Sequence, residues 1–146
     1  MVDKVCAKFY KKFPKEVLSK LQKLDWNNSG YDDPDMETHI GFFNQYNEFV
    51  GAADIILEPE KIVNGLPVIN FEIVRFEVDP NKRGNAWGLH MYEYLLKKYR
   101  PERIELYSCF PDEDDGESWS WWEYLGFKHE KPGDMYNLFM YINYKR

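Results

Sequence analysis

Cysteine is scarce: Cys6 and Cys109 are the only two in 146 residues. They stand far apart without metal-ligand spacing, which argues against a disulfide framework. Two reduced thiols in a cytoplasmic protein are expected instead. The three histidines, His39, His90 and His129, form no spaced cluster, so no metal site is expected. Lysine and arginine are outnumbered by aspartate and glutamate, 19 to 25, for a net charge of −6. A nucleic-acid partner needs clustered cations, and this balance argues against one. No apolar run approaches membrane-spanning length, and the opening MVDKVCAKFYKKF has no signal-peptide core, so neither a membrane span nor secretion is expected. Repeats, low-complexity segments and linkers are lacking too. One domain over residues 1–146 is the expectation, long enough to bury its own core.

Aromatic residues, by contrast, are plentiful at 18%. Most should pack the core, and some suit a pocket for a flat or cationic ligand. Hydrophobic alternation and turn residues predict strands over 2–10, 38–44, 48–57, 68–78, 103–110, 127–130 and 135–144. Helical spacing predicts helices from Pro14 (Val17, Leu18, Leu21 and Leu24 on one face), from Ala86, and over 118–125, closed by Gly126. Residues 27–37, 58–67 and 111–117 read as loops or connectors, the first and last acidic. The strand over 103–110 follows a crossover helix and should pair parallel to 68–78. The expected fold class is α/β, a mixed sheet around one β-α-β unit.

The most informative stretch runs from Val68 to Leu96. A strand is followed by the turn Asp79-Pro80-Asn81, then by Arg83-Gly84-Asn85-Ala86-Trp87-Gly88, then by a helix with Leu89, Tyr92, Leu95, Leu96 and Tyr99 on its apolar positions. Lys97, Lys98 and Arg100 suit the helix end, and Pro101 stops it. A strand, a small-residue loop and a helix start form an anion site, because the first helical N–H groups lack partners and small residues admit a pyrophosphate. The loop is neither a Walker loop nor the Gly-x-Gly-x-x-Gly dinucleotide fingerprint.

This loop resembles the coenzyme A loop of the GCN5-related N-acetyltransferases (GNAT family), Gln/Arg-x-x-Gly-x-Gly/Ala after a strand ending Val-x-Pro. Val78-Asp79-Pro80, Arg83 and Gly88 match, and Ala86 replaces the middle glycine. The family's Tyr-x-x-x-Gly-Phe segment is matched by Gly126-Phe127, with Trp122 in the tyrosine's place. The order of elements resembles the GNAT fold along nearly the whole chain.

The resemblance implies a mostly antiparallel sheet and acetyl-CoA as cosubstrate, held by Phe76, Val78, Arg83, Gly84, Asn85, Ala86, Trp87 and Gly88. It implies an N-acetyltransferase acting on a primary amine: a small cationic amine, a lysine or an N-terminal amine. Glu72 stands six residues before Val78, as the base does in the histone-acetyltransferase branch. On a regular strand it shares a face with Val74, Phe76 and Val78, and a carboxylate among apolar neighbours suits a base working near neutral pH; a bulge would swap its face, and a structural pairing with Arg75 or another cation is the alternative. Glu77 has the opposite parity. Indole is no acid, so Trp122 leaves the acid role to Tyr124, with Tyr107, Ser118, Ser120 and water as substitutes. The acidic runs 31–37 and 111–117 beside Trp119, Trp121 and Trp122 suit a polycationic amine, or are solvated surface. A second function is a CoA-binding or protein-interaction module with weakened catalysis. Tyr136, Phe139, Tyr141 and Tyr144 are candidates for a homodimer face, and core packing explains them equally.

Overall fold

The computed structural model describes residues 4–21, 37–108, 117–134 and 137–145. The expected acidic loops, except Glu37 and Glu117, lie outside these residues, as do Cys109 and Tyr136. Seven strands form one sheet: β1 (Cys6–Tyr10), β2 (Thr38–Phe43), β3 (Phe49–Leu57), β6 (Phe71–Val78), β7 (Arg103–Tyr107), β9 (Phe139–Asn143) and β8 (Lys128–His129), in that spatial order. All neighbours are antiparallel except β6 and β7. That parallel pair is joined by α2 (Trp87–Tyr99), giving the expected β-α-β unit. Several boundaries differ: β1 begins at Cys6, β9 at Phe139, and the first helix ends at Leu18. Val68 does not open the central strand but ends β5 (Leu66–Val68), which pairs with β4 (Lys61–Val63) in a ribbon apart from the sheet. Asn64 and Gly65, at φ 53° and 79°, turn that ribbon where a plain connector was expected.

One face of the sheet packs Ile40, Phe42, Ala53, Ile55, Phe71, Ile73, Ile104, Leu106 and Met140 against Met91, Tyr92, Leu95 and Tyr99 of α2 and Trp122 of α3 (Glu117–Leu125). Each large side chain so buried contributes about 1.5–3 kcal/mol. The opposite face holds a smaller cluster in which Phe13 and Val17, at α1 (Lys15–Leu18), cover Phe43, Phe49 and Ala52. The end of α2 is fixed by Arg100 in the left-handed region (φ 47°), its N–H donating to the Leu96 carbonyl. No helix among the described residues is long and apolar enough to cross a membrane.

The central strand is not regular. Asp54 pairs with Arg75 and Ile55 with Ile73, so Val74 is an extra residue in β6. Such a bulge reverses the alternation of side chains along a strand. Phe71 and Ile73 before it, and Phe76 and Val78 after it, therefore all face the helices. Glu72, Arg75 and Glu77 face the other way.

Candidate functional site

Strands β6 and β7 start together and then part. Their register covers three pairs, from Phe71–Ile104 to Ile73–Leu106. Beyond these, β6 follows β3 as far as Val78 opposite Gly51, while β7 follows β9 to Tyr107 opposite Phe139. Asn70 fixes the apex: its side-chain oxygen accepts from the backbone N–H of Glu102 at 2.8 Å and of Arg103 at 3.0 Å.

The loop 83–88 lies at the far end of β6. Asp79 closes that strand, its N–H donating to Val50 O at 2.8 Å while its carboxylate accepts from Asn81 N at 3.0 Å. The loop then turns through Gly84 (φ 91°) and Ala86 (φ 60°) into α2. Ala86 is the cap residue and offers no side-chain hydrogen bond to the N–H groups of the first turn. A Cβ added at Gly84 would meet nothing within 4 Å, so the loop faces open space. Arg83, Gly84, Asn85 and Ala86 are exposed, and Trp87 and Gly88 are half-buried. Gly88 has a different use. A Cβ there would stand 3.2 Å from Trp121 Cζ2 and 3.3 Å from Val78 Cγ2, so glycine lets the helix start press onto the strand and α3.

Phe76 and Val78 lie on the helix side of the gap, the Phe76 ring 5.3 Å from Trp121 and 5.5 Å from Trp122. Trp122 is 7% exposed and touches Phe127, so the residue in the tyrosine's place is a core residue. Tyr124 is 76% exposed on α3. One expectation is corrected. Glu72 does not share a face with Phe76 and Val78, because the Val74 bulge intervenes. It lies on the opposite face, on the same side as Glu77, in register between Ile56 and Glu105. Arg103 Nε donates to Glu105 Oε1 at 2.8 Å.

That same face contains a charged cluster the sequence reading missed. Arg75 is buried, its Nε 3.1 Å from Asp54 Oδ2 and its Nη2 donating to Glu37 at 3.5 Å. His39 Nδ1 lies 2.5 Å from Asp54 Oδ1. Burial pushes the Asp54 carboxyl above its usual range, while the hydrogen bond with His39 and then the charge of Arg75 pull it back. The ligating atoms of Glu37, His39 and Asp54 lie within 4.8 Å of one another. Arg75 already stands against both carboxylates, so the cluster reads as an ion-pair network. Its signal in the sequence was an aspartate inside FVGAADIIL and an arginine inside FEIVRFEV.

No protein-family model matches the chain, and no curated relative matches it. Solved structures do. The AtaT toxin, bound to the C-terminus of the antitoxin AtaR and to acetyl-CoA, superposes with TM-score 0.64 at 6% identity, over 97% of this chain and 94% of that one. The KacTA–DNA complex gives 0.57 at 9% identity over 95% and 92%. A candidate acetyltransferase of Exiguobacterium sp. 255-15 gives 0.56 at 14% identity over 95% and 93%. With its parallel β6–β7 pair, crossover helix and parted strand ends, the chain has the fold of the GCN5-related N-acetyltransferases.

Proposed function

We propose that this protein transfers an acetyl group from acetyl-CoA to a primary amine. The observation behind this reading is the parting of β6 and β7 beside an uncapped helix start. The fit is good: the N–H groups at the start of α2 and the open loop at Gly84 suit the pyrophosphate, and the gap alongside Phe76 and Val78 suits an extended pantetheine arm. The presence of acetyl-CoA in the AtaT structure supports the same reading.

The bulge gives the two reactants separate approaches. Acetyl-CoA comes from the helix side, where Phe76 and Val78 lie. The amine comes from the opposite face, where Glu72 lies. Glu72 takes the proton from the ammonium, the amine attacks the thioester carbonyl, and the carbon–sulfur bond breaks to release the coenzyme A thiolate. With Tyr124 largely exposed, we take water as the better candidate to protonate the departing thiolate. Glu72 on the acceptor face and the net charge of −6 favour a cationic amine, whether a small molecule or a lysine or N-terminal amine of a peptide.

A second reading keeps acetyl-CoA binding but not turnover, as a binding or interaction module; the buried Trp122 in the tyrosine's place favours it. Calorimetry with acetyl-CoA, followed by a thiol-release assay over an amine panel, separates the two. Tight binding with release on some amines is expected. Binding without release favours the module, and no binding overturns both.

A further inference from the structure

We propose that the buried network of Arg75, Asp54, Glu37 and His39 is the positioning device of the acceptor side, holding the bulge that aims Glu72. The inference rests on Glu72 acting as the base. Its ground is the place of the network in the sheet. Asp54 and Arg75 form the cross-strand pair that borders the register shift, and Val74, the surplus residue, stands immediately before Arg75 in β6. Their side chains are almost fully buried, at 1% and 4% exposure, and that of Glu37 is at 0%. A slip of one residue in this strand would send Glu72 to the helix face and Ile73 away from it.

Slipping also breaks the pairing of Arg75 with two buried carboxylates, and a buried charge that loses its partner is strongly disfavoured. The network thus makes one register of the bulge far more favourable than its neighbours. His39, opposite Asp54 in β2, extends the constraint to a third strand. None of the four needs to touch a substrate for this, so they are positioning residues.

The test is a double-mutant cycle with the full chain. Asp54→Asn keeps the shape of the side chain and removes its charge; Glu37→Gln does the same at the far end and serves if the first variant folds poorly. Acetyl-CoA affinity by calorimetry should stay within about threefold, because the loop lies on the other side of the bulge. With the amine that serves the parent protein best, kcat should fall about 10- to 100-fold, and Arg75→Lys should recover part of that loss relative to Arg75→Met. In the Glu72→Gln background, Asp54→Asn should cost less than threefold more, since there is no base left to aim. Multiplying losses, or a parental kcat in both Asp54→Asn and Glu37→Gln, overturns the proposal while leaving Glu72 as base. A parental rate for Glu72→Gln alone overturns the base assignment, and the positioning role with it.

Discussion

At the scale of single residues, the loop 83–88 joins backbone strain to the proposed pyrophosphate site. Ala86 adopts a left-handed conformation that a Cβ opposes. Ala86→Gly should raise stability by up to about 1 kcal/mol, read from the urea midpoint, with acetyl-CoA affinity unchanged or higher. Gly84→Glu should abolish acetyl-CoA binding in calorimetry, because φ 91° resists a side chain and the new carboxylate faces the phosphates. Retained affinity would put the cofactor elsewhere. Glu72→Gln should keep that affinity and lower kcat, with partial recovery at high pH where the amine is already neutral; an unchanged rate at neutral pH rejects the base role. The loop was legible in the sequence because glycine and turn residues mark backbone shape locally. The exposure of Tyr124 was not legible, because which side of a helix is covered depends on packing with Phe76 and Phe127, which spacing does not reveal.

At the scale of elements, α2 is both the wall of the core and the anchor of the loop. Burial, with Tyr94 second, pushes the Tyr99 phenol up to about 12, and burial with the Tyr144 hydroxyl at 2.6 Å raises Tyr92 as well. The unfolded chain ionises first, near the ordinary value of about 10, so stability is whole below that pH and declines as pH rises toward about 12. Urea unfolding at about pH 9 and about pH 11 should show the loss, and Tyr99→Phe should make it shallower. Gly88→Val should push α2 away from Val78 and Trp121, weakening acetyl-CoA binding in calorimetry although the side chain meets no phosphate. Helix α2 was legible almost to the residue, since its apolar period and both ends are written locally. The start of β6 was not. A run of β-branched residues from Val68 looks continuous, and only the pairing of Val68 with Lys61 separates ribbon from strand.

For the whole molecule, the sheet order and the parallel pair follow from the sequence of elements, because a crossover helix leaves few topologies open. Charge acts at this scale too. With a net charge of −6, the chain alone should not retard duplex DNA in a gel at about 0.15 M salt, in contrast to the KacTA assembly found with DNA. A retarded band would point to a local cationic patch that the total conceals. What no count of charges or periods could place is the bulge, because a surplus residue is visible only against the strand beside it. Without Val74, the order Phe71, Glu72, Ile73, Arg75, Phe76, Glu77, Val78 alternates without interruption, every side chain keeping the face it has now. Val74 is thus dispensable to the inside–outside pattern, and a chain lacking it would still describe a sound sheet. Its presence shifts the register of β6 against β3 by one residue beyond Ile73. Deletion of Val74 should therefore leave a well-folded protein with Glu72 and Phe76 on the faces they have now, which a near-parental urea midpoint would check.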